Sequence, residues 1–182
     1  VIRKKQSGVL VLPTGSGKSL VLASIALQLE GKTIIFQPTK EILEQNLEKV
    51  KSYGFTDVGV FSASMNEKTI GKITFATIGT IYNKPEMWDM FDTCIVDESQ
   101  AVNPKEGMYS EFLAAHGNTV LGLTATPYRM HSFNDYKTGD KTVVAKFLTR
   151  TKPKSFDYIA HETSIQEMVK DNYWCPLEYI VN

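Results

Sequence analysis

The chain alternates between short apolar runs and longer segments in which apolar residues recur at helical spacing. Several of the short runs are apolar throughout, and this pattern is typical of parallel strands that are covered on both faces. The predicted strands are Val9–Leu12, Thr33–Gln37, Val58–Phe61, Ile73–Ala76, Cys94–Val96 and Val120–Leu123.

The segments between these strands predict helices at Lys18–Glu30, Lys40–Ser52, Thr77–Asn83, Pro85–Met90 and Pro104–Ala115. On the second helix, Leu43, Leu47 and Val50 belong to one apolar stripe, and Thr39 is placed to cap the first turn. Strands that alternate with helices predict an α/β fold, with a mostly parallel central sheet and helices on both of its faces. Ligands of such sheets bind beyond the carboxyl ends of the strands.

The pattern becomes less regular after Pro127. His131–Lys154 is rich in lysine and predicts a loop, or a partly extended excursion around Val143–Leu148. We interpret the basic run Lys137–Lys154 as a solvated loop in preference to a DNA contact. Three short elements are predicted after it, namely a strand at Phe156–Ala160, a helix at Ser164–Asn172 and a strand-like run at Leu177–Val181.

The composition is that of an ordinary folded domain. Of 182 residues, 42% are apolar and 22% are charged, and the 20 basic residues equal the 20 acidic ones, so only a local patch would attract nucleic acid. No apolar run approaches the roughly 18 residues of a membrane span, so no membrane partner is predicted. The basic N-terminus lacks the apolar segment of a signal peptide. Cys94 and Cys175 have neither metal-ligand nor disulfide spacing, which favours a reducing, cytoplasmic location.

A Gly-Ser-Gly-Lys-Ser sequence lies between the first predicted strand and the first predicted helix. This is the context of a phosphate-binding P-loop, in which backbone N–H groups and a helix N-terminus converge on an anion. Lys18 would reach the β- and γ-phosphates, and Ser19 would place a hydroxyl on Mg²⁺. Leu12 stands where the general pattern has glycine, so a simple turn with a solvated lysine is the alternative. The predicted nucleotide-binding residues are Pro13, Thr14, Gly15, Ser16, Gly17, Lys18 and Ser19.

Two adjacent carboxylates, Asp97 and Glu98, directly follow the apolar strand Cys94–Val96. The strand delivers them to the edge of the sheet where the P-loop must lie. Asp97, with Ser19, would hold Mg²⁺ directly or through water. Glu98 would orient or deprotonate the attacking water. Without a P-loop in the same chain, a solvated acidic turn would explain the pair equally well.

Further polar segments follow other predicted strands. Thr124 and Thr126 end the run that Pro127 terminates. Thr39 and Thr77 begin helices, where hydroxyl and N–H groups suit the phosphates of nucleic acid, although helix capping alone explains each segment. The predicted nucleic-acid contacts are Pro38, Thr39, Thr77, Gly79 and Thr80.

Together these segments resemble the first RecA-like domain of superfamily 2 helicases and translocases, the DEAD/DEAH group. Motifs I, Ia, Ib, II and III of that family are similar to Leu12–Ser19, Gln37–Thr39, Thr77–Thr80, Asp97–Gln100 and Thr124–Pro127. The family form of motif I tolerates a residue other than glycine at its start. The run Leu123–Arg129 is most similar to the DNA-repair and type III restriction-like branch.

The resemblance implies hydrolysis of ATP with Mg²⁺, coupled to strand movement or unwinding of nucleic acid, DNA more than RNA. Thr124 and Thr126 would couple the state of the nucleotide to the nucleic-acid groove. The catalytic residues that the resemblance implies are Lys18, Asp97, Glu98 and Gln100.

Some features depart from the family pattern or fall outside the chain. Gln100 replaces the Asp or His that ends motif II, which disfavours a DEAD-box RNA helicase. The adenine-reading glutamine of the family lies well before motif I, and we predict that Gln6 is a loop residue. A second RecA-like domain, which supplies the arginine fingers, is expected in a longer protein. We expect residues 1–160 to form an N-terminally truncated RecA-like domain and residues 161–182 a connector. Alone, the chain should bind nucleotide but hydrolyse it poorly.

Two other functions stay open. One is a P-loop NTPase motor subunit of a restriction or remodelling complex that does not unwind DNA. The other is a nucleic-acid-binding scaffold that does not hydrolyse nucleotide. DNA dependence of the ATPase tests the first, while the presence of Lys18, Asp97 and Glu98 argues against the second.

Overall fold

A mostly parallel sheet forms the centre of the molecule. The computed structural model describes residues 6–117, 119–136 and 139–176. The strands are β1 (Gly8–Val11), β2 (Thr33–Phe36), β3 (Val58–Ser62), β4 (Glu67–Lys68), β5 (Ile73–Ala76), β6 (Thr93–Val96), β7 (Thr119–Thr124), β8 (Tyr128–Asn134), β9 (Lys141–Phe147) and β10 (Tyr158–Glu162). Eight of them pair in the order β10-β1-β7-β6-β2-β5-β3-β4, and every pair is parallel except β3 with β4. The predicted α/β fold class is confirmed.

Helices connect these strands. The α-helices are α1 (Lys18–Gln28), α2 (Lys40–Ser52), α3 (Ile78–Tyr82), α4 (Met108–His116) and α5 (Ile165–Lys170). Thr39 caps α2 as predicted, since its hydroxyl accepts from the N–H of Ile42 at 3.3 Å. The helix predicted at Pro85–Met90 is a 3₁₀ helix. Helix α4 begins later than the predicted Pro104, because Gly107 has a φ of 99°, which no α-helix accommodates.

The central strands are buried on both faces, which explains their continuous apolar runs. Along β2, Ile34 and Phe36 belong to one core cluster, while Ile35 belongs to the cluster on the opposite face of the sheet. Helices α1 and α2 pack on the face of Ile35, through residues such as Leu22 and Leu43. A sheet covered in this way holds its strand ends firmly, and the predicted site residues lie at those ends.

The segment after Pro127 is an ordered antiparallel hairpin of β8 and β9. Strand β9 confirms the extended run predicted around Val143–Leu148, whereas the alternative of a loop was wrong and β8 was not predicted. Tyr128 pairs with Phe147 at its base, and Asn134 pairs with Lys141 toward its tip. Cross-strand pairs of this kind need no continuous apolar run, and the polar residues of β8 interrupt any apolar pattern along that strand.

The C-terminal segment returns to the sheet. Strand β10 begins two residues later than predicted and pairs with β1, while Phe156 before it is fully buried. Ser164 and Glu167 form a capping box at the start of α5, within the predicted helix Ser164–Asn172. The predicted strand Leu177–Val181 lies outside the described residues. Within the described ranges, no helix has the length and apolar character needed to cross a membrane.

Candidate functional site

The predicted site residues lie at the carboxyl ends of five neighbouring strands, β1, β7, β6, β2 and β5. The P-loop follows β1, and Asp97 follows β6. The hydroxyl of Thr124 ends β7, while Thr39 and Thr77 follow β2 and β5. Since these strands are parallel and paired in register, one edge of the sheet collects all five segments.

The P-loop has the backbone that an anion-binding loop requires. Gly15 and Gly17 have φ values of 80° and 78°, in the left-handed region where glycine is not strained. Gly17 is the N-cap of α1, an eleven-residue helix. The N-terminus of this helix therefore lies directly at the end of the loop. Among the described residues, the N–H groups of Lys18 and Ser19 have no backbone acceptor, as is usual at a helix start. These donors are available to a phosphate.

Lys18 and Glu98 meet across the site. The Nζ atom of Lys18 lies 3.4 Å from Oε1 of Glu98, and the two side chains are 17% and 32% exposed. Glu98 has a left-handed backbone, with φ 50° and ψ 49°, which is uncommon for a residue with a side chain. Its other carboxylate oxygen accepts from Gln100 Nε2 at 2.8 Å. The carboxylate is thus fixed on both sides beside the lysine.

Asn46 on α2 connects residues that the sequence analysis treated separately. Its Oδ1 accepts the hydroxyl proton of Ser19 at 2.5 Å. Its Nδ2 donates to Gln37 Oε1 at 3.0 Å and lies 3.4 Å from Asp97 Oδ2. Asn46 was missed, although its spacing of three residues from Leu43 placed it on the buried stripe of α2. A polar residue on such a stripe was the available signal.

Asp97 is buried, with 6% of its surface exposed. Burial raises the pKa of its carboxyl group, the negative charge of Glu98 adds to this, and the charge of Lys18 opposes it. The N–H of Glu98 donates to Asp97 Oδ1 at 2.9 Å. A carboxylate in such a place is costly without a cation, so a divalent ion at this position would relieve the cost.

Gln100 joins the acidic segment to the end of β7. Its Oε1 atom lies 2.5 Å from the hydroxyl oxygen of Thr124. That hydroxyl also accepts from the N–H of Thr126 at 2.9 Å. Gln100 is therefore hydrogen-bonded to the strand end that leads to Pro127.

Trp174 is a second residue that sequence analysis missed. Its indole N–H donates to the carbonyl oxygen of Thr14 at 3.1 Å, so the segment after α5 contacts the P-loop. A Cβ atom at Gly15 would lie 3.3 Å from the same nitrogen, which leaves little room for a side chain. No local signal indicated this contact, because 160 residues separate its partners.

The predicted nucleic-acid residues lie side by side at the ends of β2 and β5, and much of their hydrogen bonding is internal. Thr39, beside the exposed Pro38, caps α2. The hydroxyls of Thr77 and Thr80 are 3.0 Å apart, and Thr80 also accepts from the N–H of Ala63. The carbonyl of Gly79 accepts from Asn83. Their contact with nucleic acid stays a prediction.

The residues present fit a nucleotide with Mg²⁺. Free N–H donors and Lys18 suit phosphate, and the buried hydroxyl of Ser16 has no partner among the described atoms. In the described ranges, no group of three or more His, Cys, Asp or Glu is placed to hold a metal by itself. One carboxylate and one hydroxyl suit Mg²⁺, because this ion typically takes its remaining oxygens from phosphate and water.

Sequence comparison identifies relatives for most of the chain. Residues 1–129 match the family model described as type III restriction enzyme, res subunit. The DNA 3'-5' translocase XPB2 of Sulfurisphaera tokodaii is 34% identical over 128 residues, which are 69% of this chain and 28% of that protein. The putative DNA 3'-5' helicase Rad25 of Haloarcula marismortui is 31% identical over 129 residues, 68% of this chain and 20% of that protein. The chain therefore spans under a third of the length of these relatives.

Solved structures share the fold. The UvsW helicase of bacteriophage T4 has a TM-score of 0.55 at 23% identity and covers 68% of this chain and 48% of its own. The Hef helicase domain of Pyrococcus furiosus has a TM-score of 0.56 at 24% identity, over 68% and 30%. The type ISP restriction-modification enzyme LlaBIII, bound to DNA, has a TM-score of 0.66 at 14% identity, over 93% and 15%. The chain thus belongs to the family of the type III restriction enzyme res subunit, and it has the RecA-like fold of the solved structures that it resembles.

Proposed function

We propose that the protein containing this chain is an ATP-dependent DNA helicase or translocase, and that this domain binds ATP with Mg²⁺ and couples hydrolysis to strand movement. One observation supports this most. A hydrogen-bonded path runs from Lys18 to Glu98, then to Gln100, and then to Thr124. It joins the P-loop to the strand end that would sense the nucleotide. DNA is favoured over RNA because the relatives XPB2 and Rad25 are named for action on DNA.

The chain's own residues suggest how the site would work. The N–H groups of the P-loop would bind the phosphates, and Lys18 would exchange its contact with Glu98 for the γ-phosphate. Ser19 and Asp97 would hold Mg²⁺, which when bound neutralises charge that develops on the phosphates. Glu98, released from Lys18 but still held by Gln100, would accept a proton from the attacking water. The loss of the Lys18 contact would then shift Gln100 and Thr124, and through Thr126 the segment beyond.

Strand movement would also require a second domain and contacts with the nucleic acid. We propose that the nucleotide-binding domain, first placed at residues 1–160, continues to the end of β10 at Glu162, and that the rest of the chain to residue 182 leads toward a second RecA-like domain. We propose that the second domain contributes arginine fingers, so the isolated chain binds nucleotide and hydrolyses it slowly. The proposed contacts to the nucleic-acid backbone are Pro38, Thr39, Thr77, Gly79 and Thr80.

The free thiols of Cys94 and Cys175 support a location in the reducing cytoplasm.

The test is the ATPase activity of the full-length protein with no nucleic acid, single-stranded DNA, duplex DNA or RNA. We expect stimulation by DNA, reduced by a factor on the order of 10²–10³ in Lys18→Ala, because a point charge on the transferred phosphate is removed. ATPase activity that no nucleic acid stimulates would favour a general P-loop motor subunit. Nucleic-acid binding without any hydrolysis would favour the scaffold.

A further inference from the structure

The β8–β9 hairpin has one face that nothing in the described structure covers. Cross-strand pairing assigns alternate residues to this open face, whose apolar members are Tyr128, Met130, Val143, Ala145 and Phe147. Every residue on the open face is exposed, whereas most residues on the opposite face are partly covered. Met130 is 62% exposed and Val143 51%.

A two-stranded hairpin with an uncovered apolar face is marginally stable by itself. Contiguous exposed apolar residues of this kind mark interaction sites. The hairpin is nonetheless well fixed at its base, where the N–H of Leu148 donates to the carbonyl of Pro127 at 2.9 Å and the guanidinium of Arg129 donates to Val102. It is therefore a firmly placed element whose open face is uncovered by residues 6–117, 119–136 and 139–176.

The charge of the segment indicates what kind of partner it takes. The described residues between 128 and 154 include six Lys or Arg and two Asp, in a chain that has 20 of each sign. Lys141 lies at one end of the open face. At the other end the guanidinium carbon of Arg150 lies 5.8 Å from the centre of the Phe147 ring. Lys141 and Phe147, at the two ends of β9, are about 20 Å apart along the strand, given a rise of about 3.3 Å per residue.

We propose that the open face binds an unpaired strand of nucleic acid, with bases stacked on Tyr128, Phe147 and the apolar side chains between the strand ends, and with phosphates near Lys141 and Arg150. Exposed aromatic rings beside cations are the means by which proteins bind single strands without sequence preference. A duplex conceals the faces of its bases, so an apolar face gains little from it. The inference rests on the proposed function for the identity of the anionic partner.

The position of the hairpin would link this contact to the nucleotide site. Strand β7 ends at Thr124, whose hydroxyl contacts Gln100, and only Ala125, Thr126 and Pro127 separate it from β8. Arg129 is bonded to the segment that follows Gln100. A nucleic-acid strand bound to the open face would thus lie at the far end of the hydrogen-bonded path from Lys18 through Glu98 and Gln100 to Thr124.

The test compares two exposed aromatic residues on opposite faces of the same hairpin. Phe147 on the open face is 43% exposed, and Phe133 on the other face is 51% exposed. Binding of fluorescein-labelled oligo(dT) to the full-length protein is measured by fluorescence anisotropy. We expect Phe147→Ser to weaken binding by a factor on the order of ten, since one stacked base is lost, and Phe133→Ser to change it less than about twofold. A labelled duplex should respond to neither change.

A second measurement does not depend on the folding of a variant. Photocrosslinking of oligo(dT) that contains 5-iodouracil, followed by peptide mapping, should label Tyr128 or Phe147 in the unaltered protein. Equal effects of the two substitutions, or crosslinks only outside residues 128–147, would overturn the inference. So would a Phe147→Ser protein that binds oligo(dT) as tightly as the unaltered protein, because the open face would then contribute nothing to binding of a single strand. DNA-stimulated ATPase that persists in these cases would leave the proposed function intact.

Discussion

The carboxyl edge of the sheet and the β8–β9 hairpin are joined at Pro127, but they hold their side chains in opposite ways. At the sheet edge, polar groups such as Asn46 and Asp97 are buried and each has several partners. On the hairpin's open face, apolar side chains such as Met130 are exposed. The first arrangement suits chemistry, which requires atoms held in fixed positions. The second suits a polymer whose sequence and position vary.

The largest expected effect is at Glu98. Glu98→Gln retains the shape of the side chain and its contact with Gln100 but removes the proton acceptor. DNA-stimulated hydrolysis should fall by about 10²–10⁴-fold, while nucleotide binding should change little. Single-turnover assays with labelled ATP measure the first quantity, and equilibrium dialysis the second.

Glu48→Gln is the matched control for that change, because Glu48 is an exposed glutamate on α2. It should leave both quantities unaltered. If Glu98→Gln retained most of the activity, the assignment of the general base to this carboxylate would be wrong.

A second prediction compares a residue of the sheet with one of the hairpin. Phe75 on β5 is fully buried, whereas Phe133 on β8 is 51% exposed. Phe75→Ala should lower the free energy of unfolding by about 3–5 kcal/mol, because it removes a large buried side chain and leaves a cavity. Phe133→Ala should change it by less than about 0.5 kcal/mol. Urea unfolding followed by circular dichroism measures both. Similar losses of unfolding free energy would mean that the hairpin belongs to the same cooperative core as the sheet.

The third prediction concerns Asn46. Asn46→Leu removes the acceptor of the Ser19 proton and the side-chain donor that lies 3.4 Å from Asp97 Oδ2. Groups that orient metal ligands typically contribute 10–100-fold to affinity, so nucleotide binding in the presence of Mg²⁺ should weaken by roughly that factor. Binding in the presence of EDTA should change little. A fluorescent ATP analogue, titrated under both conditions, provides the measurement.

Two comparisons separate this effect from general damage to the fold. Glu48→Leu, on the exposed side of α2, should bind the analogue as the unaltered protein does under both conditions. If Asn46→Leu weakened binding equally with and without Mg²⁺, its role would be structural and not specific to the ion.

The sequence predicted what is determined locally or by burial. The central strands were found because both of their faces are buried, and the Thr39 cap because its partner Ile42 is three residues away. The contact of Trp174 with Thr14 had no local signal, since only the folded sheet brings the two ends of the domain together. Strand β8 was missed because polar residues interrupt its apolar pattern, whereas the extended run around Val143–Leu148 was predicted and corresponds to β9. The catalytic and binding roles assigned to the site residues stay predictions.

The pairing of β10 with β1 affects where this domain can be divided. The family match ends at residue 129, yet β1, the strand that leads into the P-loop, has β7 on one side and β10 on the other. A protein cut at residue 129 would move the sheet edge from β10 to β1, so the strand that leads into the P-loop would lose its partner on one side and become open to pairing with other chains. The smallest unit that keeps β1 paired on both sides therefore extends through Glu162, beyond the residues that the family model matches.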